Sequence, residues 1–179
     1  PSGDSTFALA KWIWAPGGSP AVSAPPGECR FAKTFTLAGP AVSAAATLTA
    51  DNSFELFVNG KSVGSGDNFH MAYPFDIKPF LRTGENVVEI VAKNWTDLPN
   101  PAGLIAAFSI RLVDGTLFSF TTDKSWAART APDAGGIPAA ELGPPGMAPW
   151  SLAVPMYPSY VLAVAVLRGN GLPPDFESD

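Results

Sequence analysis

At 179 residues the chain is long enough for one β-sandwich with decorated loops, which buries a substantial core without metals or disulfides. Hydrophobic residues make up 46% and charged residues 15%, and 17 Gly with 19 Pro predict short strands separated by many turns. A formal charge of −5 without a Lys/Arg cluster argues against nucleic acid, a single cysteine rules out an intrachain disulfide, and no apolar run approaches the ~18 residues of a membrane-spanning helix.

The opening PSGDSTF lacks the charged and apolar regions of a signal peptide. Trp12 to Trp14 reads as a first strand, and PGGSPAVSAPPGE after it as a loop, because it is rich in turn formers. From Cys29 to Leu37 the period is two, with Phe31, Lys33, Phe35 and Leu37 on one face and Ala32, Thr34 and Thr36 on the other. Cys29 itself reads as a small buried hydrophobe. Ser43 to Ala50 adds a strand. DNSFELFVNGKSVG, Asp51 to Gly64, then reads as a β-hairpin, since Asn59 and Gly60 both tolerate the positive φ of a type I′ turn. Asp51 and Asn52 precede a strand and read as a turn-stabilising Asx pair rather than as ligands.

Gly64 to Met71 is a polar loop, and Tyr73 to Ile77 resumes an extended segment. The turn Thr83-Gly84-Glu85-Asn86 leads into a central strand in which Val88, Ile90 and Ala92 alternate with Val87, Glu89, Val91 and Lys93. After a second polar loop, Thr96 to Gly103, an apolar stripe of Leu104, Ala106, Phe108, Ile110 and Leu112 leaves Ser109 and Arg111 facing away. Asp114-Gly115 turns the chain into LFSFTTDKSW, a second hairpin. Residues 131–149 show little periodicity and read as a long surface connection. Trp150, Leu152, Val154 and Met156 would pin it down. Val161 to Leu167 has the β-branched content of a closing strand, with a short helix as the alternative. Together these segments predict an all-β, antiparallel β-sandwich, one domain over 1–179 in which 131–179 is a Pro/Gly-rich connection and closing segment.

Between Trp12 and Trp126 the segments WIW, RFAKTFTL, DNSFELFVNG, DIKPFLRTGENVVEIVAKN, GLIAAFSIRLVDG and TTDKSW resemble the galactose-binding-like jelly rolls that accompany bacterial glycoside hydrolases. They resemble notably the N-terminal domains of α-L-rhamnosidases, and also the sugar-binding jelly rolls of β-galactosidases. The resemblance implies a poly- or oligosaccharide ligand held by loops at one end of the sandwich. It also implies attachment to catalytic or other modules of a larger secreted or periplasmic protein. No cofactor is required, although structural calcium occurs in some members. The closing PPDFE resembles a boundary where another module begins.

Trp95 shares its strand phase with Glu89 and Lys93 and enters a polar loop, which makes its indole a platform for the C–H face of a sugar. Its sequence neighbours Asn94, Thr96, Asp97 and Asn100 carry the directional donors and acceptors that a specific site needs. The alternative is that Trp95 caps the core. A second rim of polar groups and an aromatic ring is expected from Asp67, Asn68, His70 and Tyr73, His70 being the sole histidine. Trp12, Trp14 and Trp126 read as packing residues. Trp150, Tyr157 and Tyr160 read as glue for the tail, or else as a second platform.

Catalysis finds little support. A Ser-His-Asp site would need His70, yet no G-x-S-x-G elbow is present and Cys29 has no evident activation. One His and one Cys make zinc improbable. The sequence therefore predicts a noncatalytic carbohydrate-binding module that holds a partner near its polymer, and the rival is a structural accessory domain that binds no sugar. A surface aromatic pair favours the first, a large apolar patch the second.

Overall fold

Residues 4–131 and 134–150 are described by the computed structural model. Within them a short helix, α1 (Asp4–Phe7), precedes β1 (Trp12–Trp14), β2 (Gly27–Leu37), β3 (Ala41–Asp51), β4 (Ser53–Val58), β5 (Lys61–Gly66) and β6 (Tyr73–Asp76). A 3-10 turn at Lys78–Phe80 leads to β7 (Gly84–Asn94), β8 (Gly103–Leu112), β9 (Leu117–Thr121), β10 (Ala127–Arg129), β11 (Ile137–Pro138) and β12 (Ala140–Gly143). Two antiparallel sheets result and pack as a sandwich. Sheet I runs β12-β1-β8-β3-β6 with β9 also on β8, and sheet II runs β11-β10-β2-β7-β4-β5.

The period of two fixes which residues meet between the sheets. Phe31, Phe35, Leu56 and Ile90 of sheet II are buried against Leu48, Leu104 and Phe108 of sheet I, and each such side chain contributes about 1.5–3 kcal/mol of hydrophobic stabilisation. Lys33 keeps the phase of Phe31 and Phe35, but its amine reaches the edge and donates to Ser125 Oγ. Cys29 is buried as expected, and burial pushes its thiol up to about 12. Trp12, Trp14 and Trp126 are all core residues.

The β4–β5 hairpin closes through Asn59 (φ 52°) and Gly60 (φ 75°), the two positive φ values of a type I′ turn. Asn59 also does long-range work. Its Nδ2 donates to Phe80 O (2.8 Å) and Asn86 Oδ1 (2.9 Å), while its Oδ1 accepts from Val87 N (3.0 Å). Buried Asn86 in turn donates to Arg82 O (2.7 Å) and Gly84 O (2.9 Å), so two asparagines lock the hairpin to the turn that starts β7.

Strand β8 is buried on both faces, which the alternating stripe did not anticipate. Ser109 and Arg111 do face away, yet Ile105 and Ala107 lie under a second cluster of Phe7, Ala10, Trp12, Ala72 and Trp150. The cover is supplied by segments remote in sequence. Trp150 stacks on Trp12 with ring centroids 4.1 Å apart, which makes it the pin expected of it. Leu152, Val154, Met156, Tyr157, Tyr160 and the segment Val161 to Leu167 lie outside the described residues.

The connection expected at 131–149 contains two strands, a correction to the sequence reading. β11 pairs with β10 in sheet II and β12 with β1 in sheet I, so this segment crosses from one sheet to the other. Its Ile-Pro and Ala-Glu-Leu-Gly sequences carry no apolar period. Backbone pairing to existing edges, rather than side-chain pattern, makes them strands.

Candidate functional site

The end of β7 separates two side chains by strand phase. Asn94 continues the inward row of Ile90 and Ala92 and is buried, with its Nδ2 donating to Ala24 O (3.0 Å), Pro25 O (3.2 Å) and Asn100 O (3.4 Å). It ties β7 to the loop before β2 and does not stand at a rim, contrary to the expectation placed on it. Trp95, one residue on, is 55% exposed and does not cap the core. Its backbone N–H donates to Asn52 Oδ1 (2.6 Å) and its indole Nε1–H to Ser53 Oγ (2.8 Å). The residue is thus held through its backbone and through its ring N–H, with the indole more than half exposed.

The loop that follows is braced from within. Asn100 Nδ2 donates to Trp95 O (2.9 Å), Thr96 Oγ1 (2.9 Å) and Leu98 O (3.1 Å), and Thr96 Oγ1 donates to Leu98 O (2.7 Å). Asn100 and Ala24 also exchange backbone hydrogen bonds (2.7 and 3.1 Å). These contacts hold Thr96 at φ 94°, a left-handed conformation that a β-branched residue rarely adopts. Thr96 Oγ1 and Asn100 Nδ2 are therefore engaged within the loop, and Asp97 remains exposed.

Trp95 borders a concavity of about 450 Å³ on the outward face of sheet II. Cross-strand register builds its floor. Glu28, Lys93 and Ser53 lie opposite one another across β2, β7 and β4, and Arg30, Val91, Glu55 and Ser65 form the next row out to β5. Asp67 and Tyr73 complete the lining. Gly66 makes room for Tyr73, because a Cβ there would come within 2.6 Å of both the Tyr73 and Phe54 rings. Of the residues singled out from sequence, the structure brings Trp95, Asp67 and Tyr73 to one surface. Asn68 and His70 do not line it: Asn68 Oδ1 accepts from His70 N (3.0 Å), and the His70 ring packs on Phe69 at 4.2 Å.

The cations of the concavity are paired. Lys93 Nζ lies 2.8 Å from a Glu28 oxygen and Arg30 4.0 Å from the other. The hydrogen bond from Lys93 is the main reason the Glu28 carboxyl sits below its ordinary range. Lys93 Nζ is also 5.8 Å from the centroid of the Trp95 ring, within cation–π reach. Glu28, Arg30, Ser53 and Glu55 were not singled out in the sequence, and Lys93 only as sharing the strand phase of Trp95. Their signal was the outward phase of β2, β4 and β7, which means little until the strands are paired.

Glu28 also borders a second concavity of about 510 Å³, walled by Trp14, Pro16, Pro20, Pro25 and Thr130. Asp51 and Asn52 bond distant partners rather than forming a local Asx turn. Asn52 anchors Trp95, and buried Asp51 accepts from Trp150 Nε1 (2.9 Å). Burial pushes the Asp51 carboxyl above its ordinary range, against the restraint of that hydrogen bond and of the His70 charge.

Calcium prefers six to eight oxygen ligands. Among the described residues no three His, Cys, Asp or Glu side chains gather, and the buried side-chain oxygen left without a partner is Asn94 Oδ1. No helix among the described residues is long and apolar enough to cross a membrane.

No family model matches the chain. It is similar to an α-L-rhamnosidase of Streptomyces avermitilis, with 28% identity over 162 residues that take in 81% of this chain and 15% of the enzyme. The solved structure of Streptomyces avermitilis α-L-rhamnosidase complexed with L-rhamnose aligns with a TM-score of 0.73 and 25% identity, over 82% of this chain and 16% of that one. The lectin of Pleurotus ostreatus aligns with a TM-score of 0.74 and 31% identity, over 83% of this chain and 46% of the lectin. The chain is therefore similar to a portion of α-L-rhamnosidases, as its strand motifs implied, and also to a lectin, and it spans only a small part of the enzyme it matches.

Proposed function

We propose that this chain is a noncatalytic carbohydrate-binding module that holds an associated polysaccharide-degrading protein near its glycan. The observation that carries the proposal is Trp95: an exposed indole, pinned through its own backbone and ring N–H, beside a polar concavity. A ring held this way presents an apolar face to a sugar with little conformational freedom left to lose on binding. The lectin and the α-L-rhamnosidase supply the carbohydrate class. Similarity to a small fraction of an enzyme fits a module that binds without making or breaking bonds. Its association with other modules and its secreted or periplasmic location belong to the same proposal.

A glycan array on the isolated chain tests the reading, with Trp95→Ala as its control. Loss of one stacking surface is expected to weaken binding by about 1 kcal/mol, several-fold in affinity, with little change in melting temperature. Normal binding by the variant moves the site elsewhere. Early melting makes Trp95 a packing residue. The calcium implied by resemblance is tested by melting with and without chelator, where an unchanged midpoint removes the ion from the account.

The rival reading, an accessory domain that packs on a neighbour without binding sugar, has its own support. Val42, Val113 and Leu117 are exposed where β3 begins and β8 turns into β9, at the end of the sandwich opposite Trp95. An array without any bound glycan favours it.

A further inference from the structure

We infer that Glu28 sets the charge class of the ligand: by neutralising the two cations beside Trp95, it fits the concavity to neutral sugars and turns uronates away. The inference rests on the carbohydrate reading above and adds a specificity-determining residue to it.

Strand phase puts a cation beside the platform. Trp95 keeps the outward phase of Lys93, and Lys93 Nζ lies 5.8 Å from the centroid of the indole. Arg30 of β2, in the next row of the same face, is the second cation of the lining. Indole, ammonium and guanidinium together would suit a uronate. The ring would take the C–H face of the sugar and the cations its C6 carboxylate, which the planar guanidinium fork matches in shape.

Glu28 cancels that arrangement. It lies opposite Lys93 in the register of β2 and β7, with one carboxylate oxygen 2.8 Å from Lys93 Nζ and the other 4.0 Å from Arg30. The hydrogen bond from Lys93 holds its carboxyl below the ordinary range, so the negative charge persists at neutral pH. Glu55 and Asp67 add to it, and Glu55 accepts from Ser62 Oγ (2.9 Å). A uronate entering the concavity therefore meets three acids, Glu28, Glu55 and Asp67, against the two cations Arg30 and Lys93. A neutral sugar meets donors and acceptors side by side. Its hydroxyl groups can donate to Glu28 and accept from Lys93, and Ser53, whose Oγ accepts from the indole N–H, keeps its own O–H to donate.

The test is an array of matched pairs that differ at C6: oligosaccharides of glucose and glucuronate, galactose and galacturonate, mannose and mannuronate. The readout is the ratio of uronate to neutral affinity at low ionic strength. The wild-type chain should favour the neutral member of the pair it binds best. Glu28→Gln leaves Lys93 and Arg30 without their carboxylate and should raise the ratio about two- to fivefold, the scale of exposed ion pairs. That gain should fade at about 1 M salt, where the screening length falls to roughly 3 Å. Glu89→Gln is the control: it frees Arg129, 3.6 Å away, and changes net charge equally, but neither residue lines the concavity, so the ratio should stay at the wild-type value. A wild-type preference for uronates, or for neither member, overturns the inference. So does an equal rise in both variants, or no rise in Glu28→Gln. Each of these outcomes leaves the carbohydrate reading standing, whereas binding to no glycan at all removes the reading and the inference together.

Discussion

A carboxylate buried as deeply as Asp51 is a cost the fold carries to position Trp150. Its folded pKa lies above the unfolded value, so the native state favours the protonated form. That contribution is fully present below the unfolded pKa and is lost as pH rises through the folded one. Asp51→Asn keeps an oxygen for Trp150 Nε1 and removes the buried charge. It is expected to leave the melting temperature at neutral pH unchanged or raised, and to flatten its fall as pH rises above about 4, the unfolded carboxylate value. Asp51→Leu leaves the indole N–H without an acceptor and is expected to cost about 1–3 kcal/mol. Thermal melts of the three proteins across that range check both. The depressed Glu28 acts oppositely but lies at an exposed, screened position.

At the level of elements, the hairpin at Asn59-Gly60 was legible because its turn chemistry sits in two adjacent residues. Its connection to β7 was not legible, because Asn86 lies far along the chain. Asn59→Ala forfeits three side-chain hydrogen bonds and a tolerated positive φ, and is expected to cost about 2–3 kcal/mol in urea unfolding. Asn59→Gly keeps the φ and loses only the bonds, so it should cost measurably less. If the two variants unfold alike, the conformational part of this account is wrong. The contrast with β11 and β12 is instructive. Both are short, without apolar alternation, and depend on edges presented by β10 and β1.

For the molecule as a whole, the Trp12–Trp150 stack closes the outer face of sheet I. Gly103 is its floor: a Cβ there would lie 2.6 Å from the Trp150 ring and 2.8 Å from that of Trp12. Trp150→Ala is expected to cost about 3–5 kcal/mol by emptying this layer, and Gly103→Ala about 1–3 kcal/mol by overfilling it. Both should keep a β-dominated circular dichroism spectrum, because the core between the sheets is untouched. Loss of the β signal in Trp150→Ala at moderate temperature would make the outer layer a condition of folding rather than an addition to it.

The all-β class, the inward faces of β2, β7 and β8 and the buried Cys29 were determined by the sequence alone, while the exposure of Trp95 was one of two readings it left open. Period-two alternation and turn chemistry are local properties, readable within a few residues. Tertiary structure alone decided that Glu28, Lys93 and Ser53 share a row, that Tyr73 and Asp67 face the surface bordered by Trp95 while His70 does not, and that Asn94 is a strut. Those outcomes depend on which strands pair and in what register. That choice is made by the summed burial of the whole core, and no window of adjacent residues contains it.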